Sequence, residues 1–238
     1  MKCGLYIRCF YESFYLNWFI NYYINLGFDY IIILKADNIK YQLPKQYLDK
    51  VYIKNVENRG NSLLPDNLYL IKNSIIDWVF MIDIDEILVL KHNNIKKYLK
   101  DLNNKDCEIN NVEFRWLMME RYDNRNMNLS QSYHLYNLYS NSLYKSFTKV
   151  KDIISFQNPH KFNVTNEKKL VEKNYENYLL HIHTRSLNNM ILKSFITILH
   201  EKNIKNMDEF KKLVNNVDYE SNVSVSYTHL RAHETRIH

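Results

Sequence analysis

Asp77-Trp78-Val79-Phe80-Met81-Ile82-Asp83-Ile84-Asp85-Glu86-Ile87-Leu88-Val89-Leu90 is the stretch on which the reading of the fold turns. An apolar run leads into three carboxylates, a second apolar run follows, and turn-prone polar sequence flanks both. The pattern predicts a buried strand whose end carries acid groups. In an extended strand Asp83 and Asp85 face the same way, with Cα atoms about 7 Å apart. Two ionised carboxylates on a low-dielectric element repel each other and lose hydration, so something must compensate. A hard divalent cation, Mn²⁺ or Mg²⁺, is one compensation, because it takes oxygen ligands and leaves positions open for a phosphate. The other reading is local: Asp85 and Glu86 begin a turn while Asp83 accepts backbone hydrogen bonds. A calcium loop is excluded, since its glycine and later bidentate glutamate are absent.

Working outward, Cys3 to Cys9 predicts a first strand. Tyr15, Trp18, Phe19, Tyr22, Tyr23 and Leu26 then fall on one helical stripe that closes at Gly27. Phe28 to Leu34 reads as a strand buried on both faces, and Val51 to Ile53 as a short third one. Leu64-Pro65-Asp66 opens a helix through Leu68, Leu70, Ile71 and Ile75, which delivers the chain to the acidic strand. Strand, helix and strand with near-continuous apolar strands predict an α/β fold, mainly a parallel Rossmann-like sheet flanked by helices. Ligands of such sheets bind beyond the carboxyl ends of the strands, which would bring Asp37 together with Asp83 and Asp85. Beyond Leu90 the pattern predicts a lysine-rich helix near Ile95 to Leu102, strands at Val112–Leu117, Tyr144–Val150 and Tyr178–His183, and a last helix capped by Ser186.

The chain has 238 residues, 46% apolar and 24% charged, which is the composition of a globular domain with a real core. Ser224 to His238 resembles the translation of a sequencing-library adapter, so a single domain is expected over 1–223, with that tail non-native and the natural chain cut near Val223. The domain divides by pattern into a regular half, 1–90, and a more irregular half, 91–223. The formal net charge of +6 is modest and scattered. No nucleic-acid module is visible, and Lys96-Lys97 and Lys168-Lys169 read as solvated faces. Cys3, Cys9 and Cys107 support neither a disulfide framework nor a zinc site, which suits a reducing compartment. With no apolar run of spanning length, the expectation is a cytoplasmic protein, peripheral to membrane at most.

The chain resembles the glycosyltransferases of the family 2-like and family 92-like groups, whose A-type fold binds nucleotide sugars. Four stretches carry the resemblance: Arg8 to Gly27 with Trp18 and the following Phe28-Asp29; Ile31 to Asn38; Asp77-Trp78 through Asp83-Ile84-Asp85-Glu86; and His181-Ile182-His183-Thr184-Arg185-Ser186 with Lys193 beyond. The third is the most specific. The resemblance implies that Asp83 and Asp85 bind the ribose or metal-diphosphate of a donor, that Arg8, Asp37 and Asn38 lie by its base and ribose, and that His181 faces the metal or diphosphate. It implies a metal-dependent transfer from a nucleotide sugar to a glycan or lipid-linked acceptor, in synthesis of surface polysaccharide. The chain departs from the family where Arg8-Cys9-Phe10 stands in place of a basic-Asn-Glu, and where His183 competes with His181.

Lys145, Lys149 and Lys151, near Pro159-His160, are candidates for a diphosphate or acceptor, although lysines in such a pattern are more often solvated; Lys149 is carried as the donor-binding one. Trp116 reads as packing, or as a platform for an acceptor sugar. An inverting transfer needs a carboxylate to deprotonate the acceptor hydroxyl, and Asp123, Glu120 and Glu113 are the candidates, Asp123 foremost. Two rival readings use the same acidic strand end: a metal-dependent nucleotidyl- or phosphotransferase, and a non-catalytic nucleotide- or glycan-binding domain.

Overall fold

The computed structural model describes residues 1–10, 12, 15–36, 40–56, 63–120, 136–172 and 176–182, with the side chains of 118–120, 136–142 and 182 outside that description. In chain order the elements are β1 (Cys3–Cys9), α1 (Leu16–Asn25), β2 (Tyr30–Lys35), β3 (Val51–Asn55), α2 (Leu63–Asp66), α3 (Tyr69–Lys72), β4 (Trp78–Asp83), β5 (Glu86–Val89), α4 (Ile95–Lys105), β6 (Asn111–Glu120), β7 (Tyr136–Lys149), β8 (Ile153–Asn158), β9 (Lys161–Val164), β10 (Lys169–Glu172) and β11 (Tyr178–Ile182). Two compact units emerge, Met1–Met119 with Asn137–Ile182, and Glu120–Tyr136 with His183–His238. The sheet belongs to the first.

The fold is α/β. Among the described residues nine strands form one sheet in the order β3-β2-β1-β4-β7-β6-β11-β5, with β10 alongside β6, and β8 pairs β9 separately. The run β3-β2-β1-β4 is parallel throughout, the 3-2-1-4 order of a doubly wound parallel sheet around its switch point. Beyond β4 the sheet turns mixed, because β7 runs antiparallel to β4 and β5 antiparallel to β11. One face packs Leu5, Ile7, Phe80, Ile82, Phe114 and Phe147 under α1 and α4. The other packs Tyr6, Leu34, Val79 and Met81 with Ile71 and Phe162. Gly4 lies under Ile76, whose Cδ1 would be 2.3 Å from any added Cβ, so a larger residue would push the chain off β1.

The acidic stretch departs from its sequence reading in an instructive way. It is two strands that do not pair with each other: β4 ends at Asp83 between β1 and β7, and β5 starts at Glu86 on the far edge of the sheet. The break has a local cause. Glu86 Oε2 accepts the Asp83 N–H at 2.8 Å, a side-chain bond in place of a ladder bond, and Ile84-Asp85 becomes a turn. Strand alternation therefore does not relate Asp83 to Asp85.

Helix α1 ends as expected, with Gly27 at φ 100°, but its buried stripe is Leu16, Phe19, Ile20 and Tyr23. Trp18 is turned out, 52% exposed and stacked on Tyr22. The helix is rotated because its tyrosines have work at the edge strand: Tyr23 Oη donates to the Glu86 carbonyl and accepts from the Leu88 N–H, and Tyr22 Oη donates to the Leu88 carbonyl. These bonds satisfy backbone groups of an edge strand and fix where the acidic turn sits. The helix expected from Leu64 is two short pieces, since the buried Asn67 bonds back to the Leu63 carbonyl at 2.8 Å and Ile75 is left exposed. The helix expected after Ser186 lies outside the described residues.

Candidate functional site at the parallel strand ends

Strands β1 and β4 are the neighbours at which the 3-2-1-4 order reverses, and their registered C-terminal partners are Arg8 and Asp83. Ligand crevices open at this switch point. Asp83 is held from two sides: Arg8 Nε is 3.1 Å from Oδ1, and Lys145 Nζ, from β7, is 2.8 Å from Oδ2. Lys145 also donates to the Pro159 carbonyl at 2.8 Å and lies 3.6 Å from Glu86 Oε1. The Lys145 side chain is 1% exposed and Glu86 is fully buried, so these charges meet with little water between them.

The electrostatics follow from that burial. Burial works against the Asp83 charge, yet Lys145 and Arg8 outweigh it and hold the carboxyl below the usual range. Burial likewise opposes the Lys145 charge, and the ionised Asp83 overcomes it. For Glu86 burial wins: its carboxyl is pushed well above the usual range in spite of Lys145. The group thus balances a guanidinium and an ammonium against an ionised Asp83, with Glu86 drawn toward its neutral form.

A second set of side chains adjoins the first. His181 comes from β11, cross-strand from Glu86, and its Nε2 is 3.7 Å from Asp85 Oδ1. The His181 ring lies 4.3 Å from Trp116, and His160, in the β8–β9 turn, lies 5.3 Å from Trp116 on its own side. Lys145 Nζ is 5.9 Å from the Trp116 ring, which ties the two sets together. Burial and Lys145 keep His160 below the ordinary imidazole value.

The donor chemistry partly fits the divalent cation implied by the resemblance. Ligands of one octahedral cation sit about 3.0 Å apart in cis and about 4.2 Å in trans. The Asp85–His181 separation of 3.7 Å lies in that span, and an imidazole among the donors moves preference away from Mg²⁺ toward Mn²⁺. Asp83 does not fit as a direct ligand as arranged here, because both its oxygens face fixed cations. Among the described residues no three His, Cys, Asp or Glu side chains converge on a cation position.

Of the other candidates, Lys149 is registered with Trp78 at the opposite end of β4, where Nζ donates to the Cys107 carbonyl. Glu113 is buried and ion-paired to Lys169 at 3.2 Å. Alternation along β6 puts it on the opposite face from Trp116, away from the cluster. Lys151 is exposed. Asp37, Asn38, Asp123 and His183 lie outside the described residues, as does the side chain of Glu120. Lys145, for which the sequence favours a solvated lysine, is instead the buried centre of the group. Glu86, which the sequence reads only as the start of a turn, and His160 both belong to the group; the Asn158-Pro159-His160 turn between two strand-length runs is the signal that marks His160.

A separate cavity of about 510 Å³ lies between α4, β10 and the start of β11, lined by Tyr98, Leu102, Ile109 and Leu170 among others. None of the strand-end cluster lines it.

No family model matches the chain, and no curated protein matches it. Among solved structures it is similar to S. aureus TarS 1–349, at TM-score 0.44 and 14% identity over 96% of this chain and 71% of that one. It is also similar to CMP:2-keto-3-deoxy-manno-octonic acid synthetase complexed with CTP, at TM-score 0.33 and 11% identity over 49% of this chain and 53% of that one.

Proposed function

We propose that the chain is a metal-dependent glycosyltransferase that moves a sugar from a nucleotide-sugar donor to a glycan or lipid-linked acceptor, in the synthesis of surface polysaccharide. The observation that carries this reading is the meeting of Arg8 and Asp83 at the β1/β4 switch point, backed by a buried Lys145. A crevice with that charge pattern suits a diphosphate flanked by hydroxyl-bearing groups. Arg8, half exposed and oriented by Asp83, offers its outer N–H groups to a phosphate or ribose. Lys145 fixes Asp83 and adds positive potential from behind. Asp85 and His181 are the residues that would hold Mn²⁺. Bound there, the cation would supply Lewis-acid charge for the departing diphosphate.

The test is thermal stability with and without Mn²⁺ against a panel of nucleoside diphosphates. A ligand at a hundredfold excess over its dissociation constant adds about 2.7 kcal/mol of stability. The expected result is a melting shift that needs both metal and one nucleotide and that disappears in Asp85→Ala, along with turnover of the matching nucleotide sugar. Absence of any shift would leave a non-catalytic domain as the better reading. Release of pyrophosphate in place of a nucleoside diphosphate would replace it with a nucleotidyltransferase.

A further inference from the structure

The rings of Trp116 and His160, beside the strand-end cluster, present nitrogens of opposite chemical character. Trp116 is 9% exposed and its Nε1–H, a donor only, has no acceptor. His160 Nδ1 lies 3.1 Å from the Tyr144 carbonyl. That carbonyl can only accept, so Nδ1 carries the proton and Nε2 presents a lone pair. The two rings are neighbours, 5.3 Å apart. A hydroxyl is the group that satisfies both, since it accepts from an N–H and donates to an imidazole nitrogen.

The turn that bears His160 is fixed more firmly than a surface turn needs. Asn158 Oδ1 accepts the His160 N–H at 2.8 Å and the Lys161 N–H at 3.1 Å. The His160 carbonyl accepts from Ser146 N at 2.9 Å and Ser146 Oγ at 3.0 Å, and Lys145 clamps the Pro159 carbonyl. The same lysine that neutralises Asp83 therefore sets the position of His160.

Resting on the glycosyltransferase reading of the adjoining strand ends, we propose that Trp116 and His160 form the subsite for the attacking hydroxyl of the acceptor, with His160 Nε2 as the base. The hydroxyl oxygen accepts from Trp116 Nε1–H and forms the bond to the anomeric carbon. The bond from that carbon to the diphosphate breaks, and its electron pair leaves with the nucleoside diphosphate. The hydroxyl proton passes to His160 Nε2, and the imidazolium returns it to water after product leaves. The groups that face His160 are Lys145 from β7, Asp83 from β4 and Arg8 from β1, with Lys161 next in its own turn. Burial and Lys145 keep the ring in its free-base form at neutral pH, against the opposing Tyr144 carbonyl and Asp83. Of the carboxylates expected in this role, Glu113 lies on the other face of the sheet.

The test follows release of nucleoside diphosphate by the full chain with Mn²⁺ from a panel of nucleotide sugars, with glycerol and methyl glycosides as hydroxyl probes, over about pH 5 to 9. His160→Gln should lower kcat about 100-fold or more and remove the acid limb of the profile, while the nucleotide-dependent melting shift stays. Added imidazole should restore part of the rate to His160→Ala. Trp116→Phe should raise KM for the hydroxyl probe roughly 3- to 10-fold and leave the acid limb in place. A His160→Gln variant with kcat near wild type and an unchanged acid limb would overturn the inference alone. No turnover of any nucleotide sugar and no nucleotide-dependent shift would overturn the donor reading, and this inference with it.

Discussion

Strand β7 carries two lysines four residues apart on one face, and their fates are opposite. Lys149, at the level of Trp78, reaches out to the Cys107 carbonyl and passes 5.4 Å from the Trp78 ring. Lys145, about 13 Å further along the strand pair, is sealed in against Asp83 and Glu86. The residue type is the same and so is the sheet face. What differs is the partner strand: at one end β4 offers an indole, which an ammonium can lie over while still wet, and at the other a carboxylate whose charge must be matched where water is scarce. Substitution should make the contrast quantitative. Lys145→Met leaves Asp83 with Arg8 alone and should cost about 3–5 kcal/mol in urea unfolding, the range for breaking a buried pair. Lys149→Met should cost less than about 1 kcal/mol. Equal losses would break the comparison.

Acid titration sharpens it next. Because Asp83 has a lowered pKa in the fold, its contribution is fully present above its unfolded value of 3.8 and is lost as pH falls through the folded one. Wild type should therefore shed stability below that value, read as urea midpoints at successive pH steps. In Asp83→Asn this part of the slope should be gone, on a protein already weakened at neutral pH by the unpaired Lys145. Asp77, which sits more than half exposed at the other end of β4 beside the amino terminus, should weaken the fold far less at neutral pH when made Asn. A wild-type slope that survives in Asp83→Asn would assign it to other carboxylates.

Much of the parallel half was legible because its signals are local. Apolar runs of strand length, a helical stripe closing on Gly27, and carboxylates at a strand end are all readable from neighbours in sequence, and β1, β2, β3 and β4 appear where those signals put them. The mixed half was not, since β7 takes its place between β4 and β6 through pairing across some seventy residues. The site shows the same divide. Arg8, Asp83 and His181 stand on strands the pattern marked, and the structure brings Arg8 to Asp83 and His181 to Asp85. Lys145 was undecidable in sequence, because nothing near it distinguishes it from Lys149. The break at Ile84-Asp85 was also open: it depends on a glutamate reaching back three residues to a backbone N–H, and the continuous strand and the turn are both consistent with the same letters.

Glu86 gives the smallest effect and the finest discrimination. Its carboxyl keeps a proton in the fold at pH values where the unfolded chain has lost it, so folding takes up a proton and stability falls as pH rises above the unfolded value of 4.5. Glutamine has no proton to lose, yet keeps a carbonyl oxygen that can accept the Asp83 N–H and preserve the turn. Glu86→Gln should therefore match wild type near pH 4 and become the more stable of the two toward pH 7, by on the order of 1 kcal/mol. The opposite trend, a variant that weakens as pH rises, would mean that Glu86 is ionised beside Lys145. The ammonium would then be shared between two carboxylates, and Asp83 would be freer to release it and turn one oxygen toward a bound cation.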